Sequence, residues 1–155
     1  MSRTAEVVIE PATEADVATI VALVNAGAVG SRVGRETDDL TPYLAAFRRI
    51  AAHPDTEIYV ARDENGEVVG TFQLTVLLGL AFQGGSRAQL ESVHTRADRR
   101  GQGIGGAMVR FAEERARALG CMMMQLTSNK QRADAHRFYE RLGYERSHEG
   151  FKRML

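Results

Sequence analysis

Thr95-Arg96-Ala97-Asp98-Arg99-Arg100-Gly101-Gln102-Gly103-Ile104-Gly105-Gly106 is the stretch on which the reading of this chain turns. It follows a strand-like run over 88–94 and opens directly into an amphipathic helical pattern. Its clustered glycines leave backbone N–H groups unscreened at the start of a helix, where unpaired amides and the positive end of the macrodipole favour an anion. Arg99 and Arg100 add cationic charge at the same spot. A phosphorylated ligand is the first functional inference. The plainer alternative, a turn with solvated arginines, does not need this clustering of glycines.

Working outward, Ile104, Met108, Phe111, Ala112 and Leu119 share the apolar face of the helix, and Gly120 stands where a C′ residue closes it. The run 121–127 that follows is nearly continuous in apolar residues, as in a buried, parallel-paired strand. Ala135, Phe138, Tyr139 and Leu142 form a last helical stripe ending at Gly143, and 144–155 reads as a closing strand pair around His148-Glu149-Gly150. Toward the N-terminus, 6–10 reads as a strand. Thr13-Glu14-Ala15-Asp16 reads as a capping box ahead of the stripe Val17, Ile20, Val21, Val24. The polar stretch 30–39 separates that helix from a second at 41–52, stopped by His53-Pro54. Runs 57–62 and 68–78 alternate as strands around Asn65-Gly66, a strong hairpin signal. The order βαα, ββ, β, α, β, α, ββ defines an α+β domain with antiparallel hairpins and one βαβ crossover.

Size and composition bound the answer. A chain of 155 residues with 44% hydrophobic and 26% charged residues suits one soluble globular domain, 1–155. Twenty basic and twenty acidic residues cancel, which gives no support to a nucleic-acid partner held by bulk charge. A single cysteine, Cys121, excludes an internal disulfide framework and a cysteine-built zinc site. His53, His94, His136 and His148 are scattered without ligand spacing, so no metal is expected. No apolar run approaches the roughly 20 residues of a membrane span, and the first eight residues lack a signal-peptide profile. The expected setting is cytoplasmic, with no membrane partner.

Three blocks together resemble one family. Arg100-Gly101-Gln102-Gly103-Ile104-Gly105 matches the Q/R-x-x-G-x-G/A signature of the GNAT superfamily of acyl-CoA-dependent N-acetyltransferases. Leu90-Glu91-Ser92-Val93-His94-Thr95 is similar to its fourth strand. Ala135-His136-Arg137-Phe138-Tyr139-Glu140-Arg141-Leu142-Gly143-Tyr144 is similar to its A-x-x-F-Y-x-x-x-G-F/Y helix end. The resemblance implies a GNAT-like fold, a central mixed sheet of six to seven strands flanked by about four helices. It implies acetyl-CoA as co-substrate and an amine of a small molecule or peptide as acceptor, attacked directly in a ternary complex. It also leaves room for a homodimer, which no exposed apolar stripe in the sequence demands.

The same resemblance assigns roles. The coenzyme diphosphate rests on the backbone of Gly101, Gln102, Gly103, Ile104, Gly105 and Gly106, with Arg100 beside it. The pantetheine arm pairs like an added strand with the stretch Val93, His94 and Thr95, where the fourth and fifth strands splay apart. Gly103 and Gly105 are expected to lack a Cβ so that backbone can approach phosphate. Acetyl transfer needs a free amine, a donor for the tetrahedral oxyanion and a proton for the leaving thiolate. The Val93 N–H is the implied oxyanion donor, and Tyr139, by resemblance, the general acid; packing in the core is the competing account of that tyrosine. Glu91 is the candidate base, an arginine ion pair being the equal alternative. Strand alternation puts Glu91, Val93 and Thr95 on one face and Leu90, Ser92 and His94 on the other, which makes His94 the weaker base. Many relatives carry asparagine where this chain has Arg132, and Asn129 is the nearby candidate for that coenzyme contact.

Gly101 to Gly106 also satisfies G-x-G-x-x-G, the dinucleotide fingerprint. Against it, residues 96–100 separate strand from glycines, the next strand ends in Thr127-Ser128-Asn129 with no acid for a ribose, and too little chain follows for a second nucleotide-binding half. A P-loop fails because no Gly-Lys-Ser/Thr follows. The non-enzymatic alternative is a catalytically silent sensor or interaction module that binds acyl-CoA.

Overall fold

The computed structural model describes residues 4–155. Five strands form one sheet in the order β1-β2-β3-β4-β5, with β1 Val8–Pro11, β2 Thr56–Arg62, β3 Val68–Leu77, β4 Arg87–Thr95 and β5 Met123–Leu126. Neighbours are antiparallel except β4 and β5, which run parallel because the long helix α4 (Ile104–Ala118) carries the chain back across the sheet. Helices α1 (Val17–Ala26) and α2 (Thr41–Ala51) lie between β1 and β2 in the chain. A single turn, α3 (Ala81–Gly84), separates β3 from β4, and α5 (Ala133–Arg141) follows β5.

The helix stripes read from the sequence are packed faces only in part: Leu119 caps α4 at 38% exposed, and on α1 the buried residues are Val17 and Leu23, the second outside the expected stripe. On one side of the sheet Ile104, Met108, Val109, Ala112 and Ala116 of α4 meet Tyr59, Ala61, Val69, Phe72, Leu74, Ala88 and Leu90. On the other, Leu23 of α1 joins Val60 and Val68. Phe72 stacks on Tyr59 at 5.1 Å, and Phe111 meets Tyr59 edge-on. Gly70 gives α4 room against β3: a Cβ there would press on the Met108 sulfur at 2.8 Å. The Thr13 capping box forms as expected, with the Asp16 carboxylate accepting from the Thr13 amide at 2.9 Å. Asp16, buried, also accepts from Arg62 at 2.9 Å on each of its two oxygens, so a charge inside the domain is fully partnered.

The sheet has five strands, where six to seven were expected, and the missing pair is 144–155. None of those residues joins the sheet. Tyr144 is held, its hydroxyl donating to Glu113 at 2.9 Å and its amide to the Tyr139 carbonyl. The following Glu-Arg-Ser-His-Glu-Gly has no apolar side chain with which to seat a strand. The strand expected at 121–127 is shorter and lies at the sheet edge, so it is half-buried instead of enclosed. Among the described residues no helix is long and apolar enough to cross a membrane.

Candidate active site

β4 is the strand on which the site is built. On one side β3 pairs with it from Leu77↔Arg87 to Gly70↔Thr95. On the other, β5 pairs only from Arg87↔Met123 to Leu90↔Leu126. Beyond Leu90 the β5-facing edge of β4, residues 91–95, is therefore open. Ser92 takes φ +50°, a left-handed conformation that costs a non-glycine residue about 1 kcal/mol. There the register with β3 shifts between Thr71 and Gln73, the mark of a bulge.

The bulge overturns the expected alternation. Glu91 pairs with Gln73 and His94 with Thr71, two positions on the same face of β3. Glu91 and His94 therefore share a face, while Val93 packs into the α4-side core and Thr95 pairs with Gly70 on that side. His94, expected to point away from Glu91, lies on the same face of the strand. Its ring lies against Gly27 at the end of α1, where a Cβ would come within 2.6 Å of it. Burial first, then the cationic Arg132, Arg32 and Arg100, push the imidazole down to about 4, so it is uncharged at neutral pH. Glu91 is exposed and accepts from the Gln73 amide at 3.3 Å; among the described residues it forms no ion pair with an arginine.

Past β4 a single turn, Ala97–Arg99, leads into the glycine segment. Gly101 and Gly103 take φ of +75° and +82°, so both need the freedom of glycine. Gly103 is the N-cap of α4. Among the described residues no amide from Arg100 to Gly106 has a hydrogen-bond acceptor. These are the free donors that the sequence placed at the helix start. Ile104 is 1% exposed, so its side chain pins the loop into the core while its amide stays free. Gly105 has a different reason from the one expected: a Cβ there would stand 3.3 Å from the Phe138 ring, so its absence lets α5 pack on α4.

The two arginines before the glycines separate. Arg99 turns inward, donating to Asp63 at 2.8 Å and to the Gln102 side chain at 3.1 Å. The Asp63 side chain is 1% exposed. Burial opposes its ionisation, but the amides of Glu67 and Asn65 and the Arg99 guanidinium outweigh that and hold its carboxyl below the usual range. Arg99 thus fastens the glycine loop to the β2–β3 turn and is not free to meet a ligand. Arg100 remains exposed. Nothing in the sequence marked Asp63, which lies 36 residues from its partner.

Tyr139 is half-buried among Phe138, Tyr144 and the α4-side core, with edge-on contacts to both rings. Burial raises its phenol, the Arg132 guanidinium opposing, and among the described residues its hydroxyl has no hydrogen-bond partner. Asn129 builds the β5–α5 turn: its side-chain oxygen accepts from the Gln131 amide at 2.9 Å and its carbonyl meets the His136 ring. Arg132 reaches across to the Gly27 carbonyl. Gly27, to which sequence reading assigned no role, and Arg132, named there only as standing where many relatives carry asparagine, therefore wall the His94 side of the opening.

An open strand edge running into a helix start with free amides is the arrangement of an acyl-coenzyme-A-binding N-acyltransferase fold. The comparisons agree. Residues 26–144 match the model described as Acetyltransferase (GNAT) family, and the chain belongs to that family. It is 38% identical over 91 residues to an aminoalkylphosphonate N-acetyltransferase of Salmonella typhimurium, a match covering 59% of this chain and 58% of that protein. A solved structure described as a transcriptional regulator from Bacillus halodurans C-125 is 42% identical, covers 97% of this chain and 100% of its own, and superposes with a TM-score of 0.89. Glucosamine-6-phosphate N-acetyltransferase from Arabidopsis thaliana, 18% identical, shares the fold with a TM-score of 0.80 over 96% of this chain and 98% of its own.

Proposed function

We propose that this chain transfers an acetyl group from acetyl-CoA to the primary amine of a small acceptor that also carries an anionic group. The observation that carries the reading is the open edge of β4 running into the free amides of Arg100 to Gly106. The coenzyme diphosphate sits on those amides with Arg100 alongside, and the pantetheine amides pair with the exposed backbone at Val93 and Thr95.

In the ternary complex the Glu91 carboxylate takes the proton of the acceptor ammonium, directly or through a water. The amine nitrogen then attacks the thioester carbon, and the Val93 N–H receives the developing oxyanion. When the C–S bond breaks, Tyr139 supplies the proton to the sulfur; among the described residues its hydroxyl has no competing partner. His94 forms a neutral wall of the acceptor side. The charges of Arg132, Arg32 and Arg100 all bear on that imidazole; Arg32 is paired with Glu36 at 3.0 Å, and Arg100 and Arg132, with no carboxylate partner among the described residues, supply positive potential for an acidic acceptor. The Salmonella relative, named for aminoalkylphosphonates, supports this acceptor class.

The test is coenzyme release from acetyl-CoA across amines bearing a phosphonate, a carboxylate or no acid. Turnover is expected to be highest with the acidic amines. Turnover indifferent to the acid overturns the acceptor class. Tight coenzyme binding with no turnover on any amine leaves the sensor reading, in keeping with the description of the Bacillus halodurans structure.

A further inference from the structure

Before its bulge, β4 has two unlike faces. Ala88 and Leu90 are buried in the α4-side core. Arg87, Gln89 and Glu91 alternate with them and stand on the opposite face. There they pair in register with Leu77, Thr75 and Gln73 of β3, while Arg87 and Gln89 also pair with Met123 and Gln125 of β5. The apolar cluster on this side, Leu23 with Val60 and Val68, draws on α1, β2 and the start of β3, and includes none of the three. Glu91 is exposed and Arg87, Gln89 and Gln125 are half-buried, so the polar row is open to solvent.

The row is ordered by its own hydrogen bonds. The Gln125 side-chain amide donates to the Gln89 side-chain oxygen at 2.7 Å, and the Gln125 side-chain oxygen accepts from Arg87 at 3.2 Å. Gln73 donates to Glu91 at 3.3 Å. Among the described residues neither Arg87 nor Glu91 has a partner of opposite charge, and the side-chain N–H donors of Gln89 have no acceptor. One strand face therefore ends in a cation and a carboxylate, about 13 Å apart at a strand rise of about 3.3 Å per residue. Charges of each sign at a fixed separation are complementary to a molecule with an amine at one end and an acid at the other. An extended peptide of about four residues has that span, and its internal carbonyls suit the free Gln89 donors.

We propose that Arg87, steadied by Gln125, is a carboxylate subsite for the acceptor, and that this acceptor is a short peptide lying along the open face. Its α-amine meets Glu91, a peptide carbonyl accepts from Gln89, and its C-terminal carboxylate rests on Arg87. The inference rests on the proposed acetyl transfer and names its acceptor. The charges of Arg100 and Arg132 bear on His94 at the other end of the strand, so Arg87 is a separate subsite. An α-amine titrates near 8, against about 10.4 for an alkylamine, so more of it reaches the site unprotonated and less is asked of an exposed carboxylate. The amine nitrogen bonds to the acetyl carbon as the C–S bond breaks. The ammonium proton passes to Glu91, and coenzyme A leaves as the thiol with the proton from Tyr139.

The experiment measures coenzyme release from acetyl-CoA with alanine, dialanine, trialanine and tetraalanine, each with a free carboxylate and as its amide. The expected kcat/KM rises with length up to tetraalanine, and amidation of tetraalanine lowers it about tenfold, the loss of one charge-assisted contact. Arg87→Gln is expected to bring tetraalanine down to the level of its amide and to leave the amide unchanged. Arg87→Lys, which keeps the charge, should retain the preference for the free carboxylate. A rate that does not depend on length overturns the subsite, as does an amidation loss that persists in Arg87→Gln. Turnover of aminoalkylphosphonates with none of the peptides also overturns it and leaves the acetyl transfer standing. No turnover of any amine overturns both.

Discussion

The two halves of β4 have the same backbone direction and the same neighbour on one side, yet they are built for different ends. From Arg87 to Leu90 the strand is paired on both sides, and Ala88 and Leu90 are 0% and 2% exposed. From Glu91 to Thr95 it is paired on one side only, carries a left-handed serine, and presents a carboxylate and an uncharged imidazole on one face. The first half holds the domain together. The second is kept from closing on β5, and its side chains are turned by the bulge. Core packing and the proposed chemistry are thus divided at one peptide, between Leu90 and Glu91.

The division can be broken from either side. Leu90→Ala removes a buried side chain and should lower unfolding free energy by about 3 kcal/mol in denaturant melts, with turnover per folded molecule nearly unchanged. A comparable loss of turnover would mean that the halves are not separate. Glu91→Gln should do the reverse: no change in the melt and about a hundredfold lower kcat. That loss should narrow as pH rises and more acceptor arrives deprotonated; a loss equal at every pH would remove Glu91 as base. Gly103→Val forces a branched residue into a left-handed position against Thr4 and should weaken coenzyme binding about tenfold by calorimetry. The smallest effect belongs to Asp63. Its carboxyl titrates below the ordinary 3.8, so the stability from its pairing with Arg99 is complete above 3.8 and lost as pH falls through the lower folded-state value. Asp63→Asn should flatten that part of the melting-temperature profile, and an unchanged profile would show that the pair does not titrate with folding.

What could be read from the sequence was local. The glycine segment, the α4 and α5 stripes, the capping box and the Asn65-Gly66 hairpin each lie within a few residues, and all are present. What could not be read depended on contacts between distant residues or on single backbone angles. Ser92 carries no sign of its left-handed conformation, so alternation sent His94 to the wrong face. Arg99 looked like a ligand-facing charge because Asp63 is far off in the chain. The packing reason for Gly105 was hidden because the Phe138 ring that it admits belongs to another helix. The expected closing strand pair failed for a further reason: 145–150 brings no apolar side chain to a sheet face, so nothing seats it on the open edge of β5.

The bond from Arg99 to Asp63 has one more consequence. Because it ties the segment before α4 to a rigid hairpin bend, the donors there are ordered before any coenzyme arrives. In the proposed coenzyme site, binding then needs little rearrangement of the receiving backbone, and the affinity is not spent on folding a loop. It also means that Asn65-Gly66, a corner outside that proposed site, helps to set the aim of those donors: loosening it would slacken the proposed grip on the diphosphate from a distance.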